Sequence, residues 1–187
     1  MGKKLAVIFP GIGYHTDKPL LYYAKKLAVK HGYQIVEVAY QGFRKDIKGN
    51  AYKMQEAFES ALRQTENQLA EQVWPDTDEI LFISKSIGTI VAAAYAKKSG
   101  LQVRHIYFTP LKETFLFAEK GNGIAFHGTS DPWAADADIQ EGCEKHEIPL
   151  VTIPEGNHSL ETGDVFIDIR DLLIVMEKVE NYMSIDC

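Results

Sequence analysis

The sequence has no apolar run that approaches the roughly 20 residues needed to cross a membrane. Residues 5–9 are apolar and follow two lysines, but they are too few for the core of a signal peptide, and a Pro-Gly pair ends them. Ala6 stands where a myristoylation motif after Gly2 needs Ser or Thr. We therefore expect a cytoplasmic protein with no membrane contact.

Cysteine is also scarce, and the acidic residues outnumber the basic ones. The two cysteines, Cys143 and Cys187, have no metal-ligand spacing, so we expect no metal. A disulfide between them stays open as an alternative, but free thiols in a cytoplasmic protein are favoured. The net charge of −6 leaves no broadly basic face, which argues against a nucleic-acid partner.

Short apolar runs alternate along the chain with longer amphipathic segments. Six runs rich in Val, Ile, Leu and Phe predict strands at residues 4–9, 34–39, 79–84, 103–108, 123–127 and 150–153. Their lack of polar alternation is typical of strands covered on both faces. The alternation predicts a three-layer α/β/α sandwich with a mainly parallel sheet of about six strands. Because 187 residues contain no linker or repeat, we predict a single domain spanning residues 1–187.

The intervening segments have helical spacing. In the first one, Asp17 is a candidate cap, Pro19 suits the first turn, and Gly32 ends the helix. In residues 51–74, apolar side chains recur every four residues, at Met54, Phe58 and Leu62. Residues 89–99, 134–146 and 164–183 complete the predicted set.

Residues 84–88, Ser-Lys-Ser-Ile-Gly, form the corner between the third strand and the next helix. A sharp turn there exposes Ser86 and crowds the backbone, and the small residues Ser84 and Gly88 relieve that crowding. The corner resembles the nucleophile elbow Gly-x-Ser-x-Gly of the α/β-hydrolase superfamily, with Ser84 in place of the first glycine. The alternative is that Ser86 only caps the helix.

A serine nucleophile needs a base, and among six histidines His158 has the most suitable position. It lies in a Gly/Asn-containing loop between the last predicted strand and the last helix. The superfamily places its catalytic histidine there, in the chain order Ser, acid, His. The alternative is a solvated loop side chain.

The acid is expected after the next-to-last strand, at residues 123–127. Asp131, in the segment His-Gly-Thr-Ser-Asp-Pro, resembles the acid of the superfamily and would orient the imidazole of His158. Its alternative role is to cap the following helix. Asp136 and Asp138 are rivals that lie deeper in that helix.

The first strand ends in Phe-Pro-Gly-Ile-Gly, where superfamily members typically begin a loop with His-Gly. The resemblance implies that the backbone N–H groups of Ile12 and Ile87 form the oxyanion hole. The same stretch also suggests a dinucleotide fingerprint, but Thr16 replaces the third glycine and no acidic residue follows the second strand convincingly, although Glu37 lies within it.

Only fourteen residues separate Phe108 from Gly123, which leaves no room for a cap domain. We therefore predict an open, mainly apolar pocket, with candidate lining residues Tyr14, Lys85, Leu111, Phe115 and Trp133. Each has a plainer reading, since aromatic side chains usually belong to the core and Lys85 would simply face water.

The resemblance implies a minimal, lidless α/β hydrolase near the dienelactone-hydrolase-like proteins, without the two extra N-terminal strands of larger members. It implies acyl transfer from a small ester or thioester to water, with no cofactor. The rival interpretation is a hydrolase-like binding or interaction protein whose triad is idle. The sequence leaves the oligomeric state, the acyl group and the leaving group open.

Overall fold

The computed structural model describes residues 3–43, 47, 50–72, 74 and 76–185. Gly2 and Cys187 lie outside these residues, so the predictions that involve them have no structural counterpart here. Six strands form one sheet in the order β2-β1-β3-β4-β5-β6, and every neighbouring pair is parallel. Their bounds are β1 Lys4–Phe9, β2 Tyr33–Glu37, β3 Glu79–Lys85, β4 Arg104–Phe108, β5 Gly123–Gly128 and β6 Leu150–Ile153.

Five α-helices and one short 3₁₀ helix connect these strands. The α-helices are α1 Pro19–Lys30, α2 Ala51–Gln68, α3 Ile87–Ser99, α4 Asp136–Lys145 and α5 Val165–Met183, and the 3₁₀ helix is Lys112–Leu116. Helices α1 and α5 cover one face of the sheet, and α2, α3 and α4 cover the other. The predicted three-layer sandwich is confirmed, and its sheet is entirely parallel.

The four central strands, β1, β3, β4 and β5, are buried because they carry mainly apolar side chains on both faces. Along β3, Leu81 and Ile83 pack beneath α1 and α5, whereas Ile80 and Phe82 pack beneath α2 and α3. Helix α3 lies deepest, with residues 87–96 all buried. Its run of alanines lets its backbone approach the sheet closely. Because this part of the helix is buried on all sides, it has no polar face.

Several predicted details were wrong. Helix α2 ends at Gln68, well before residue 74, although its predicted stripe of Met54, Phe58 and Leu62 does pack against the core, beside the more deeply buried Ala57, Ala61 and Thr65. Lys18 occupies the N-cap position of α1 without a side-chain cap, and Asp17 instead faces Lys25 at 3.6 Å. Tertiary contacts with α3 decide which face of α2 is buried, and these contacts are not visible in local spacing.

The strand order reverses its direction of winding in the middle of the sheet. From β1 the chain moves outward to β2, then crosses to β3 and continues in the opposite direction. The carboxyl ends of β1 and β3 therefore border the point where the winding reverses, which is where open parallel sheets bind ligands. Among the described residues, none of the helices has the length and apolar character that crossing a bilayer requires.

Candidate active site

Ser86 occupies the sharp corner between β3 and α3, with φ 57° and ψ −127°. A non-glycine residue rarely adopts this backbone conformation, and such strain concentrates at functional sites. Although Ser86 lies at the N-cap position, its hydroxyl makes no capping hydrogen bond to α3. The side chain is thus directed elsewhere, and helix capping does not explain it.

The two small residues beside the corner have different reasons to be small. A Cβ on Gly88 would lie 2.5 Å from the carbonyl oxygens of both Phe9 and Pro10, so only glycine lets α3 approach the end of β1. Ser84 has room for its side chain, and its buried hydroxyl donates a hydrogen bond to the carbonyl of Ile106 at 3.1 Å. Serine can therefore replace the usual first glycine without leaving a buried polar group unpaired.

The structure brings Ser86, His158 and Asp131 together, although they are 45 and 27 residues apart in the sequence. The Nε2 atom of His158 lies 2.7 Å from the Ser86 hydroxyl oxygen, and its Nδ1 atom lies 2.7 Å from an Asp131 carboxylate oxygen. In the neutral tautomer that fits these contacts, Nδ1–H donates to Asp131 and Nε2 accepts from the hydroxyl.

The loops that carry Asp131 and His158 are locked against each other by backbone contacts. The N–H groups of Thr129 and Ser130 donate to the carbonyls of Ile153 and Gly156, both at 3.0 Å. A Cβ on Gly128 would lie 2.2 Å from the carbonyl oxygen of Gly156. This close approach fixes the carboxylate next to the imidazole and depends on glycine at position 128.

The carboxylate of Asp131 is held on both oxygens. One accepts from His158, and the other accepts from the backbone N–H of Trp133 at 2.8 Å. The N-cap of α4 is Ala135, so Asp131 does not cap that helix. The indole of Trp133 stacks on the imidazole with ring centroids 5.6 Å apart, which restrains the orientation of His158.

The electrostatics keep His158 neutral and Asp131 ionised near pH 7. Burial lowers the pKa of His158, and the nearby Lys85 ammonium lowers it further, against the opposing effect of Asp131. Burial opposes ionisation of Asp131, but the hydrogen bonds from His158 and the Trp133 N–H, with the charge of Lys85, outweigh burial and lower the carboxyl pKa. A neutral imidazole is the form that can accept a proton from serine.

The other buried histidines are arranged differently. Burial lowers the pKa of His105 to about 3, and its ring stacks on Tyr107 within the sheet. His127 is fully buried at the end of β5, and its Nε2 atom lies 3.5 Å from Asp136, the rival acid. Asp136 therefore faces a different histidine from the one that contacts Ser86.

The backbone N–H groups expected to form an oxyanion hole lie on both sides of Ser86. Ile87 is the first residue of α3, so its N–H has no partner within the helix. Ile12 lies in the turn after β1, which the backbone hydrogen bonds between Gly11 and Tyr14 close at 3.1 and 3.3 Å. Both Ile12 and Ile87 line the cavity in front of the Ser86 hydroxyl.

The same turn does not form a dinucleotide site of the usual kind. Helix α1 begins at Pro19, six residues after Gly13, so its N-terminus does not open directly from the glycines. Glu37 is held by Lys25 at 2.6 Å and also accepts a hydrogen bond from Thr16. These contacts occupy the carboxylate of Glu37, which would otherwise accept hydrogen bonds from the hydroxyl groups of a ribose.

The cavity at Ser86 has a volume of about 410 Å³ and is partly open to solvent. Three of the predicted lining residues, Tyr14, Lys85 and Trp133, line this cavity. Leu111 instead lines a neighbouring cavity of about 360 Å³, which Trp133 also borders. Phe115 packs against Gly142 of α4, so its prediction as a lining residue was wrong. The alternative in which Lys85 simply faces water does not hold, because only 1% of its surface is exposed.

Sequence patterns did not indicate several residues of the cavity. Its wall also contains Ile47, Met54, Lys18 and Ser159. Ile47 and Met54 come from α2 and the segment before it, which the chain order alone does not bring near Ser86. Lys18 lies next to the predicted start of α1. Its place in the cavity wall depends on the position of the Tyr14 ring, which the sequence does not show.

A parallel β2-β1-β3-β4-β5-β6 sheet with a strained serine corner after β3 defines the α/β-hydrolase fold. Solved structures with this fold resemble the chain over nearly its whole length. Est1E from Butyrivibrio proteoclasticus, solved with ferulic acid bound, superposes with a TM-score of 0.69 at 14% identity, over 97% of this chain and 88% of that one.

Two further structures extend the comparison. A lidless serine hydrolase from Xanthomonas campestris has a TM-score of 0.63 at 13% identity, over 100% of this chain and 86% of that one. A protein of unknown function from Agrobacterium tumefaciens, described as a candidate α/β hydrolase, has a TM-score of 0.65 at 18% identity, over 97% and 84% of the two chains. No protein-family profile matches the sequence, and no curated protein matches it. At sequence identities of 13% to 18%, the structural similarity establishes the fold of this chain.

Proposed function

We propose that the protein is a serine hydrolase that cleaves a small ester or thioester through an acyl-enzyme. The observation that carries this proposal is the continuous chain of hydrogen bonds from the Ser86 hydroxyl through His158 to Asp131, with both contacts at 2.7 Å. The fold supports the same class, as do two structural neighbours, Est1E with ferulic acid bound and a lidless serine hydrolase.

In the proposed mechanism, the Ser86 oxygen attacks the substrate carbonyl while His158 Nε2 takes the hydroxyl proton. Asp131 holds the ring in the required tautomer and stabilises the imidazolium. The N–H groups of Ile12 and Ile87 bind the oxyanion of the tetrahedral intermediate. The imidazolium then protonates the leaving group, and water, deprotonated by His158, releases the acyl group from Ser86.

A fluorophosphonate probe tests the proposal directly, because it reacts with an activated serine. We expect one equivalent of probe per wild-type chain, detected as a mass increase on the peptide that contains Ser86. The Ser86→Ala variant should not be labelled. Ser99→Ala is the matched control, since Ser99 ends α3 far from the cavity, and it should label like wild type.

The outcomes separate the candidate functions. Labelling that survives Ser86→Ala would assign the nucleophile to another residue. Folded wild-type protein that stays unlabelled and hydrolyses no member of a 4-nitrophenyl ester and acyl-CoA panel would favour the rival function, a binding protein with an idle triad. The panel, graded by acyl length, also identifies the preferred bond and chain length.

The pH dependence of hydrolysis follows from the state of His158. Because burial holds its pKa below the ordinary 6.5, the ring is neutral and active at pH 7, and protonation inactivates it only in more acidic solution. We expect kcat/KM for a neutral ester to be constant near pH 7 and to fall below an inflection lower than pH 6.5. An inflection above pH 7 would contradict the assignment of His158 as the base.

A further inference from the structure

Lys85 is a buried basic residue that forms no direct ion pair with any described residue. Its side chain reaches from the end of β3 to the cavity at Ser86, and only 1% of the residue is exposed. Within the described parts of the chain, no carboxylate forms an ion pair with its ammonium group and no atom accepts a hydrogen bond from it. An unpaired buried charge is strongly unfavourable, so its presence beside the candidate nucleophile needs an explanation.

A second cation approaches the same ring. The ammonium of Lys85 lies 4.9 Å from the centroid of the Tyr14 ring, and that of Lys18 lies 5.3 Å from it. Both lysines line the cavity that contains Ser86 and His158. Two like charges around one aromatic ring repel each other, and a bound anion would relieve that repulsion.

The acidic groups near Lys85 do not neutralise it. Asp131 is engaged by His158 and by the N–H of Trp133, and Glu161 lies beyond ion-pair distance. Burial, with a contribution from Lys18, lowers the pKa of Lys85 to about 7, against the opposing charges of Asp131 and Glu161. The ammonium and neutral forms are thus about equally favoured near pH 7, and an entering carboxylate would stabilise the ammonium form.

We infer that Lys85, assisted by Lys18, forms a subsite for a negatively charged group of the substrate, so that the enzyme acts on esters or thioesters that carry a carboxylate. This inference rests on the proposed function and adds a substrate class to it. The buried ammonium binds the carboxylate and thereby places the scissile carbonyl against Ser86. Charge-assisted contacts of this kind are most effective where water is excluded.

Pairs of esters that differ only in charge test the subsite. On the acyl side, 4-nitrophenyl hemiglutarate is compared with 4-nitrophenyl methyl glutarate, after subtraction of spontaneous hydrolysis. On the leaving-group side, 4-carboxyphenyl acetate is compared with its methyl ester. We expect wild type to prefer the anionic member of one pair in kcat/KM by about ten- to hundredfold, the ratio that one charge-assisted contact is worth.

Substitutions then assign the preference to the lysines. Lys85→Met keeps the length of the side chain and should abolish the preference, and Lys18→Gln should reduce it. Lys26→Met is the matched control, since Lys26 lies over the ring of Tyr22 at 5.4 Å, away from the cavity, and should keep the full preference. Using the ratio of two substrates removes any general effect of a variant on the rate.

A binding measurement separates failure of the subsite from failure of the proposed function. Calorimetric titration of Ser86→Ala with monomethyl glutarate needs no turnover, and adding Lys85→Met should weaken binding by about tenfold or more. If neutral and anionic esters are hydrolysed equally, the subsite is wrong and the hydrolase proposal stands. If no ester is hydrolysed but monomethyl glutarate binds through Lys85, the hydrolase proposal fails and the anion site stands. The absence of both would overturn the inference.

Discussion

Replacing His158 with glutamine is expected to lower kcat/KM for a 4-nitrophenyl ester by about 10⁴- to 10⁶-fold. Glutamine has similar size and can still hydrogen-bond, but its amide cannot accept the proton that leaves the Ser86 hydroxyl. The effect should lie mainly in kcat, because His158 stabilises charge that exists only in the transition state. Stopped or continuous assays of 4-nitrophenolate release measure both parameters.

The control for this substitution is His31→Gln. His31 follows the last turn of α1 at the opposite edge of the sheet and faces Glu180 at 3.6 Å, so its loss should leave the rate within about twofold of wild type. Circular dichroism and thermal unfolding should show both variants folded. A rate for His158→Gln close to that of wild type would remove His158 from the mechanism.

The surroundings of His158 explain why this histidine, rather than another buried one, suits the role of base. Its two ring nitrogens have two different partners, a hydroxyl on one side and a carboxylate on the other. His127 is much nearer to Asp131 in the chain than His158 is, but neither of its ring nitrogens has a hydrogen-bond partner among the described residues. A base needs both the acceptor geometry and a group that orients it, and only His158 has both here.

The fold was predictable because the local signals agreed with one another. Residues 80–83 are apolar and residues 90–96 are apolar with four alanines, and both elements exist within one or two positions of the predicted bounds. The errors occur where tertiary contacts decide. Helix α2 ends at Gln68, before residue 74, and there the Gln68 amide donates hydrogen bonds to the carbonyls of Ala39 and Gln64.

The positions of the candidate site residues were predictable for a topological reason. Ser86, Asp131 and His158 each follow a strand of one parallel sheet, and the carboxyl ends of parallel strands meet at the same edge. The sequence also indicated Gly88, but it could not show that a side chain at position 88 would collide with the backbone carbonyls at the end of β1. Nor could it distinguish an aspartate that caps α4 from one that accepts from His158.

The character of the cavity was not predictable, because it depends on side-chain directions. Lys85 is the charged last residue of β3, which suggests exposure, yet it is buried and lines the same cavity as His158. Phe115 and Trp133 are both aromatic residues after strands, but one packs on α4 and the other stacks on the imidazole. Spacing along the chain contains no information that separates these outcomes.

Replacing Gly88 with alanine is expected to destabilise the protein by about 3 kcal/mol and to lower its melting temperature by about 10 °C. Alanine normally stabilises a helix by up to about 1 kcal/mol relative to glycine. Here its Cβ would lie 2.5 Å from two backbone oxygens at the end of β1, so steric repulsion decides the sign. Thermal and urea unfolding measure the change.

The same substitution should lower kcat by about 10²-fold, because the Ile12 amide lies just after the carbonyls that must move. Gly121→Ala is the matched control. Its Cβ meets nothing within 4 Å, and its φ of 71° imposes only the backbone strain of alanine, about 1 kcal/mol, at the edge of the sheet remote from Ser86. Equal losses of stability in the two variants, or full activity in Gly88→Ala, would show that close contact between α3 and the β1 loop does not set the geometry of the oxyanion hole.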